Sequence, residues 1–398
     1  MSQRPLPAYV FRCAMSDFAA LWAEIVAVGR AADGGYLRYA LTPPELTLRD
    51  WFRAQAGKRG MTVTEDGNGN LFAWCGEPWA PGTVLTGSHF DSVPGGGGYD
   101  GPLGIVSAFL ALDRLESPRN IAIGAFVEEE GGRFGVPCLG SRLMTGVIPP
   151  SKAAALKDRD GITFGEALGA LPTGQIDQIS GLSAFVELHI EQGRALDVPV
   201  GVGSAIWPHG RWRMEFAGAG DHAGTTRMTD RRDPMLTFAH TVLAANEEAR
   251  LIGAHATVGR VEAEPNATNA IPSMVRGWLD ARAADTGTLD RLLESVIKRA
   301  TERAGRDGTE LSVVAESVTD EVAFDTELAR RLSELLGDAP ILPTGAGHDA
   351  GVFSAHVPTA MLFVRNPTGV SHAPAEGASD EDCEAGVEAL ARVLESLT

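Results

Sequence analysis

The sequence predicts an α/β domain, a mixed sheet flanked by helices, into which a smaller ferredoxin-like α+β domain is inserted. Three observations carry this reading. Strand-like and helix-like runs alternate between Leu71 and Ile190. The order changes to β-α-β-β-α-β between Arg211 and Ala315. After about Val318 the first style returns. The length of 398 residues also exceeds what one core comfortably serves and suits two domains.

The elements follow in order. Ser16 and Asp17, followed by Phe18, Leu21, Trp22, Ile25 and Val28, read as a capped amphipathic helix. A second helix is expected from Pro44 to Lys58. Leu71 to Trp74 and Val84 to Phe90 read as strands, the latter carrying His89 near its end. Pro102 suits a helix start, and Ile105 to Leu115 continues that helix. Ile121 to Val127 is an unbroken apolar run, as a strand buried on both faces is, and Phe185 to Ile190 reads as another strand. In the insert, strands are expected at Arg211 to Phe216, Thr257 to Glu264, Met274 to Ala281 and Leu311 to Ala315. Helices are expected at Met235 to Ala249 and Thr288 to Arg303. The returning part adds helix Glu327 to Leu336, strand Ala360 to Val364 and helix Ser379 to Leu397. The expected division is 1–210, 211–318 and 319–398, with both chain ends building the larger domain.

Apolar residues make up 44% and charged residues 22%, which is ordinary for a folded soluble chain. The formal net charge is -18, so a polyanion is repelled and nucleic acid is not an expected partner. A small anionic substrate would need a local cationic clamp. No stretch approaches the ~18 apolar residues that cross a bilayer, so no membrane partner is expected. Cys13, Cys75, Cys138 and Cys383 are scattered without a CxxC pair, which argues against a disulfide scaffold or a thiolate zinc site and fits a reducing cytoplasm. Residues 1–15 do not read as a signal peptide.

Acidic and imidazole residues cluster at strand ends. His89 and Asp91 form an H-x-D pair, followed by four glycines, Gly95 to Gly98, and then Asp100. Ligands bind where strands of open α/β sheets end. Imidazole and carboxylate suit Zn²⁺, Mn²⁺, Co²⁺ or Ni²⁺. The glycines let the chain turn tightly enough for Asp100 to return to the same centre. Asp91 serves either as a ligand or as the carboxylate that orients His89. A glycine-rich surface turn is the plain alternative; a phosphate loop is not, since the Walker lysine and the G-x-G-x-x-G order are missing.

Glu128, Glu129 and Glu130 follow the apolar run directly. Three carboxylates after a buried strand are costly unless cations compensate them, although a solvated acidic turn reads the same way. His189 sits late in a strand-like run, where a lone histidine is often plain core. His372 sits in a loop after the strand ending at Val364. Each signal is weak alone. Together they supply one bridging carboxylate and two further ligands per metal, the inventory of a two-metal hydrolase.

The segments GSHFDSVPGGGGYDG, EEEGGRF, FVELHIEQG, DHAGTTRM, GAGHDA and GVSHAPAE resemble, in order, those of the amidohydrolase family of N-carbamoyl-L-amino-acid hydrolases, allantoate amidohydrolases and bacterial β-ureidopropionases, part of the aminoacylase and carboxypeptidase metallohydrolase clan. The likeness covers almost the whole chain. It implies that His89, Asp100 and His189 hold one metal and Asp100, Glu130 and His372 the other. It implies Glu129 as general base, Asp91 as orienter of His89 and His222 as oxyanion stabiliser. Asn269, Arg282, His209, Gly347 and His348 are implied to contact substrate, with Arg282 as a bidentate carboxylate clamp. It further implies that the insert is a lid and the surface of a homodimer.

That resemblance implies cleavage of the ureido or carbamoyl C–N bond of a small carboxylate-bearing substrate by a hydroxide bridging two divalent cations. An N-acyl aminoacylase or dipeptidase of the same clan is one alternative, and a catalytically inactive binding protein on this fold is another. The chain also departs from the family. Allantoate-type members carry a glutamine where His209 stands in Trp207-Pro208-His209-Gly210-Arg211. Gly132 replaces a serine, and Gly95 and Gly98 replace asparagines. These changes bear on substrate identity and leave the five ligand positions intact.

Overall fold

A computed structural model describes residues 16–398, and it divides into two compact units. The reading of residues 1–15, including Cys13, lies outside the described residues. The first unit takes the chain as far as Gly203, then Asp325–Ile341 and His348–Thr398. The second takes Ser204–Phe324 and Leu342–Gly347.

The first unit is built on a mixed sheet. Its strands run in the order Thr62–Glu65, Leu71–Cys75, Ile121–Phe126, Val84–His89, Ala184–Ile190, Thr359–Val364 and the start of Val200–Ile206. The four from Ile121–Phe126 to Thr359–Val364 are parallel to one another; their outer neighbours pair antiparallel. Every residue of those four strands is buried, which explains their largely apolar sequence, and of the polar exceptions Ser88, His89, Glu187 and His189 lie towards the ends that form the site. Because they are parallel, their carboxyl ends open on one edge, and His89 and His189 both arrive there.

Helix Pro102–Asp113 packs on strands Val84–His89 and Ala184–Ile190 and against helix Asp380–Leu397. Leu103, Ile105, Val106 and Phe109 on it are fully buried. Each such side chain contributes about 1.5–3 kcal/mol, so the strand ends rest on a stiff platform. The Ser379 side chain caps the last helix by accepting from the N–H of Asp382.

The second unit carries a four-stranded antiparallel sheet in the order Glu310–Thr319, His209–Ala217, Met274–Arg282, His255–Glu264. Helices Pro234–Ile252 and Thr286–Asp307 complete a β-α-β-β-α-β sequence. Burial alternates along the two central strands. Trp212, Met214, Phe216, Val275 and Leu279 join the helix residues Leu292 and Val296 in one core. The opposite face keeps His209, Arg211, Arg213 and Arg282.

Some local expectations differ. The first helix is only Asp17–Trp22. Beyond Trp22 the chain tightens into three-residue turns, Ile25 N–H to Trp22 and Val28 N–H to Ile25, while Ile25 stays in the core. Strand Val200–Ile206 was not foreseen because its glycines interrupt the apolar pattern. Among the described residues no helix is long and apolar enough to cross a membrane. Cys75, Cys138 and Cys383 are free thiols.

Candidate metal centre

The edge where the parallel strands end gathers every expected ligand. His89 and His189 are fully buried, with ring centroids 5.9 Å apart. The Nδ1 of His89 lies 3.0 Å from the carbonyl of Asp91, and that of His189 lies 2.9 Å from the carbonyl of Ile190. A carbonyl only accepts, so Nδ1 holds a proton in both rings, which leaves Nε2 as the nitrogen that a cation would take. Both Nε2 atoms are buried without a hydrogen-bond partner among the described residues. They stand 3.4 Å and 3.2 Å from Oδ1 of Asp100.

Asp100 faces a second pair through its other oxygen. Its Oδ2 is 3.4 Å from Nε2 of His372, which is itself 3.4 Å from Oε2 of Glu130. Two ligand groups therefore share Asp100: His89 with His189, and Glu130 with His372. Within each group the ligand atoms lie within 4.8 Å of one another. His372 has a φ of 56°, a left-handed backbone that a non-glycine residue adopts at some cost and that turns its ring toward Asp100.

The three glutamates divide their tasks. Glu128 turns away from the cluster at a φ of 54°, and its Oε1 accepts from the N–H groups of Arg133 and Phe134. Glu129 points inward, with Oε2 3.6 Å from His89 Nε2 and Oε1 3.6 Å from the Cys138 thiol. Glu130 meets His372. The carboxylate of Asp91 belongs to neither ligand group. It accepts from the N–H groups of Glu129 at 3.2 Å and Glu130 at 3.1 Å, while its own carbonyl holds His89. Asp91 thus positions both glutamates and one histidine.

The electrostatics call for cations. Burial raises the Glu129 carboxyl well above the ordinary carboxylate range; Asp349, Glu130 and Glu187 reinforce this and His89 opposes it. Burial and then Asp100 push Glu130 up to about 7. Burial disfavours the Asp100 carboxylate, yet contacts with His189, His372 and His89 outweigh it and hold this carboxyl well below its usual range. Hydrogen bonding to Asp100 lifts His372 to about 9. A buried cluster of this composition, with two orphaned imidazole nitrogens, fits divalent cations of the zinc and manganese type.

Gln192 and Glu187 are neighbours that the sequence does not single out, and Glu187 stands beside the expected His348. Gln192 donates to Asp100 Oδ2 at 2.7 Å. Glu187, His189 and His348 form a further group of close ligand atoms. Both Glu187 oxygens are already used, by the Ser88 hydroxyl and the Ala350 N–H, each at 3.0 Å. His348 packs its ring 4.5 Å from that of His189, and burial holds it neutral. The only sequence signal for Glu187 and Gln192 is polarity beside a buried strand end.

The remaining expected residues lie in the second unit. His222 pairs in register with Ala270. Its Nδ1 accepts from the N–H groups of Gly224 and Thr225, at 3.0 Å and 3.2 Å, so its Nε2 carries a donor proton. The Asn269 carbonyl accepts from Ala223 next door. His209 and Arg282 face each other across the sheet. Arg282 donates through Nε to Asp280 at 3.1 Å and through a terminal nitrogen to the Gly345 carbonyl at 2.6 Å, two residues before Gly347.

Comparison with known proteins follows the same lines. The model of peptidase family M20/M25/M40 matches residues 85–396. The chain is 36% identical to an N-carbamoyl-L-amino acid amidohydrolase of Geobacillus stearothermophilus, over 92% of this chain and 94% of the relative. It is 33% identical to an allantoate amidohydrolase of Escherichia coli, over 92% of this chain and 93% of the relative. The crystal structure of an amidase of the hydantoinase/carbamoylase family from Burkholderia multivorans superposes with a TM-score of 0.82 at 31% identity, covering 96% of this chain and 98% of the other.

Proposed function

This chain belongs to peptidase family M20/M25/M40 and is a hydrolase of C–N bonds, and from that premise we propose that it cleaves the ureido or carbamoyl group of a small carboxylate-bearing substrate, such as an N-carbamoyl amino acid or allantoate. The observation that carries the reading is the sharing of Asp100 by two imidazole and carboxylate groups with Glu129 beside them.

His89, Asp100 and His189 would hold one divalent cation, and Asp100, Glu130 and His372 the other. Bound there, such ions act as Lewis acids and make water acidic enough to ionise near neutral pH. Glu129, which adjoins the cluster at 3.6 Å from His89 Nε2 without belonging to either ligand group, takes the proton of the attacking water. Asp91 keeps Glu129 and Glu130 in place through their N–H groups. The Nε2–H of His222 supplies a donor for the oxyanion that forms as the carbonyl is attacked. Arg282 takes the substrate carboxylate, and this local cation answers the steering problem set by the net charge of -18. Asn269, His209, Gly347 and His348 complete the substrate contacts. Glu129 then returns its proton to the leaving nitrogen. A carbamoyl substrate and one water give the free amine and carbamate, which falls apart to ammonia and carbon dioxide.

A panel assay on chelated and metal-reconstituted protein tests this. Metal-dependent ammonia release from N-carbamoyl amino acids or allantoate supports it. Amine release from N-acetyl amino acids or dipeptides alone would replace it with the aminoacylase or dipeptidase reading.

A further inference from the structure

A carboxylate outside both ligand groups grips the loop that carries Asp100. Glu376 is only 7% exposed. Its Oε1 accepts from the backbone N–H groups of Tyr99 and Asp100, each at 3.0 Å. Its Oε2 is buried without a hydrogen-bond partner among the described residues. Burying a half-satisfied carboxylate is costly, and cations bound close by would offset that cost. Glu376 lies four positions beyond His372, so one short loop meets Asp100 twice. It brings the His372 ring to Oδ2, and it clamps the main chain beneath.

Gly97 records the same clamp from the other side. A Cβ on Gly97 would fall 2.1 Å from Oε1 of Glu376 and 2.2 Å from its Cδ. Unlike Gly95 and Gly101, Gly97 does not lie in the left-handed region. Its lack of a side chain is therefore required by the volume of the Glu376 carboxylate rather than by backbone conformation.

We propose that Glu376 is a positioning residue for Asp100, and that it sets the affinity of the shared centre for its cations through a contact that only glycine at 97 admits. The proposal rests on the reading of Asp100 as a shared ligand. Partners of metal ligands commonly change metal affinity by about 10- to 100-fold when removed.

The test is titration of chelated full-length protein with Zn²⁺ or Mn²⁺ by calorimetry, alongside thermal melts of the metal-free forms. E376A should weaken cation binding by about 10- to 100-fold. E376Q, which keeps an acceptor and loses the charge, should fall between E376A and wild type. G97A keeps Glu376 in the sequence yet should also weaken binding. Added to E376A, G97A should cost little more, because the atoms it strikes are gone. Wild-type affinity in E376A overturns the proposal, and so do independent, additive effects of G97A and E376A. Should the wild type itself bind neither cation, the metal reading beneath the proposal fails, and the wild-type titration alone identifies that outcome.

Discussion

The Nε2 atom of His189 stands 3.2 Å from Oδ1 of Asp100, and the ring has no other nitrogen to offer because its Nδ1 is spent on the carbonyl of Ile190. Strand Ala184–Ile190 thus fixes both the position and the tautomer of this ligand. His189→Ala should lower affinity for the first cation by about a hundredfold or more, with Asp100→Ala weakening both. Metal analysis after dialysis against a weak chelator checks this. Full metal content in either variant would contradict it.

Glu129 adjoins the cluster without belonging to either ligand group. Glu129→Gln keeps its shape and its main-chain bond to Asp91 but cannot take a proton. Metal content should stay near that of the parent, and turnover should fall by about a hundred- to ten-thousandfold. Retained turnover would remove Glu129 from the base role.

Arg282 spends two of its donors within its own unit, on Asp280 and Gly345. The remaining guanidinium edge is the proposed carboxylate clamp. Arg282→Ala should raise KM for a carboxylate substrate by roughly 10- to 150-fold, the worth of a hydrogen bond to a charged group. Arg282→Lys should recover only part of this, since a point charge cannot bond in two places at once. Parallel kinetics on a substrate and its amide analogue check the assignment; equal losses on both would refute it.

The Asp349 carboxyl shows how burial, reinforced by a neighbouring carboxylate, reshapes titration in the metal-free chain. Burial, then Glu187, raises it to about 8, and the Ser141 hydroxyl donates to it. The folded state holds this proton where the unfolded chain has already released it. Its contribution to stability is therefore lost as pH rises from about 4 through about 8. Asp349→Asn removes that slope and keeps the acceptor for Ser141. Melts of chelated protein at pH 5.5 and 8.5 should show a smaller fall for the variant than for the parent. Equal falls would mean that another group governs this range.

Much of the centre was legible in the sequence, and for physical reasons. Strands buried on both faces read as unbroken apolar runs, so Ile121–Phe126 announced itself, and the glutamates after it stood out as an unpaid charge. His89 stood out because a glycine run followed it. Other parts were silent. The carboxylate of Asp91 could have served the metal or His89, and only the fold sends it to the N–H groups of Glu129 and Glu130. Glu376 acts on a main-chain N–H 276 positions away, a relationship that carries no periodicity. Strand Val200–Ile206 stayed hidden because glycine contributes no apolar side chain to its pattern.

The claim that two cations share Asp100 is tested most directly by crystals of the metal-loaded protein, with diffraction recorded across the absorption edge of the bound metal. Two anomalous peaks are predicted, one among His89, Asp100 and His189 and one among Asp100, Glu130 and His372. A single peak, or peaks away from Asp100, would contradict it.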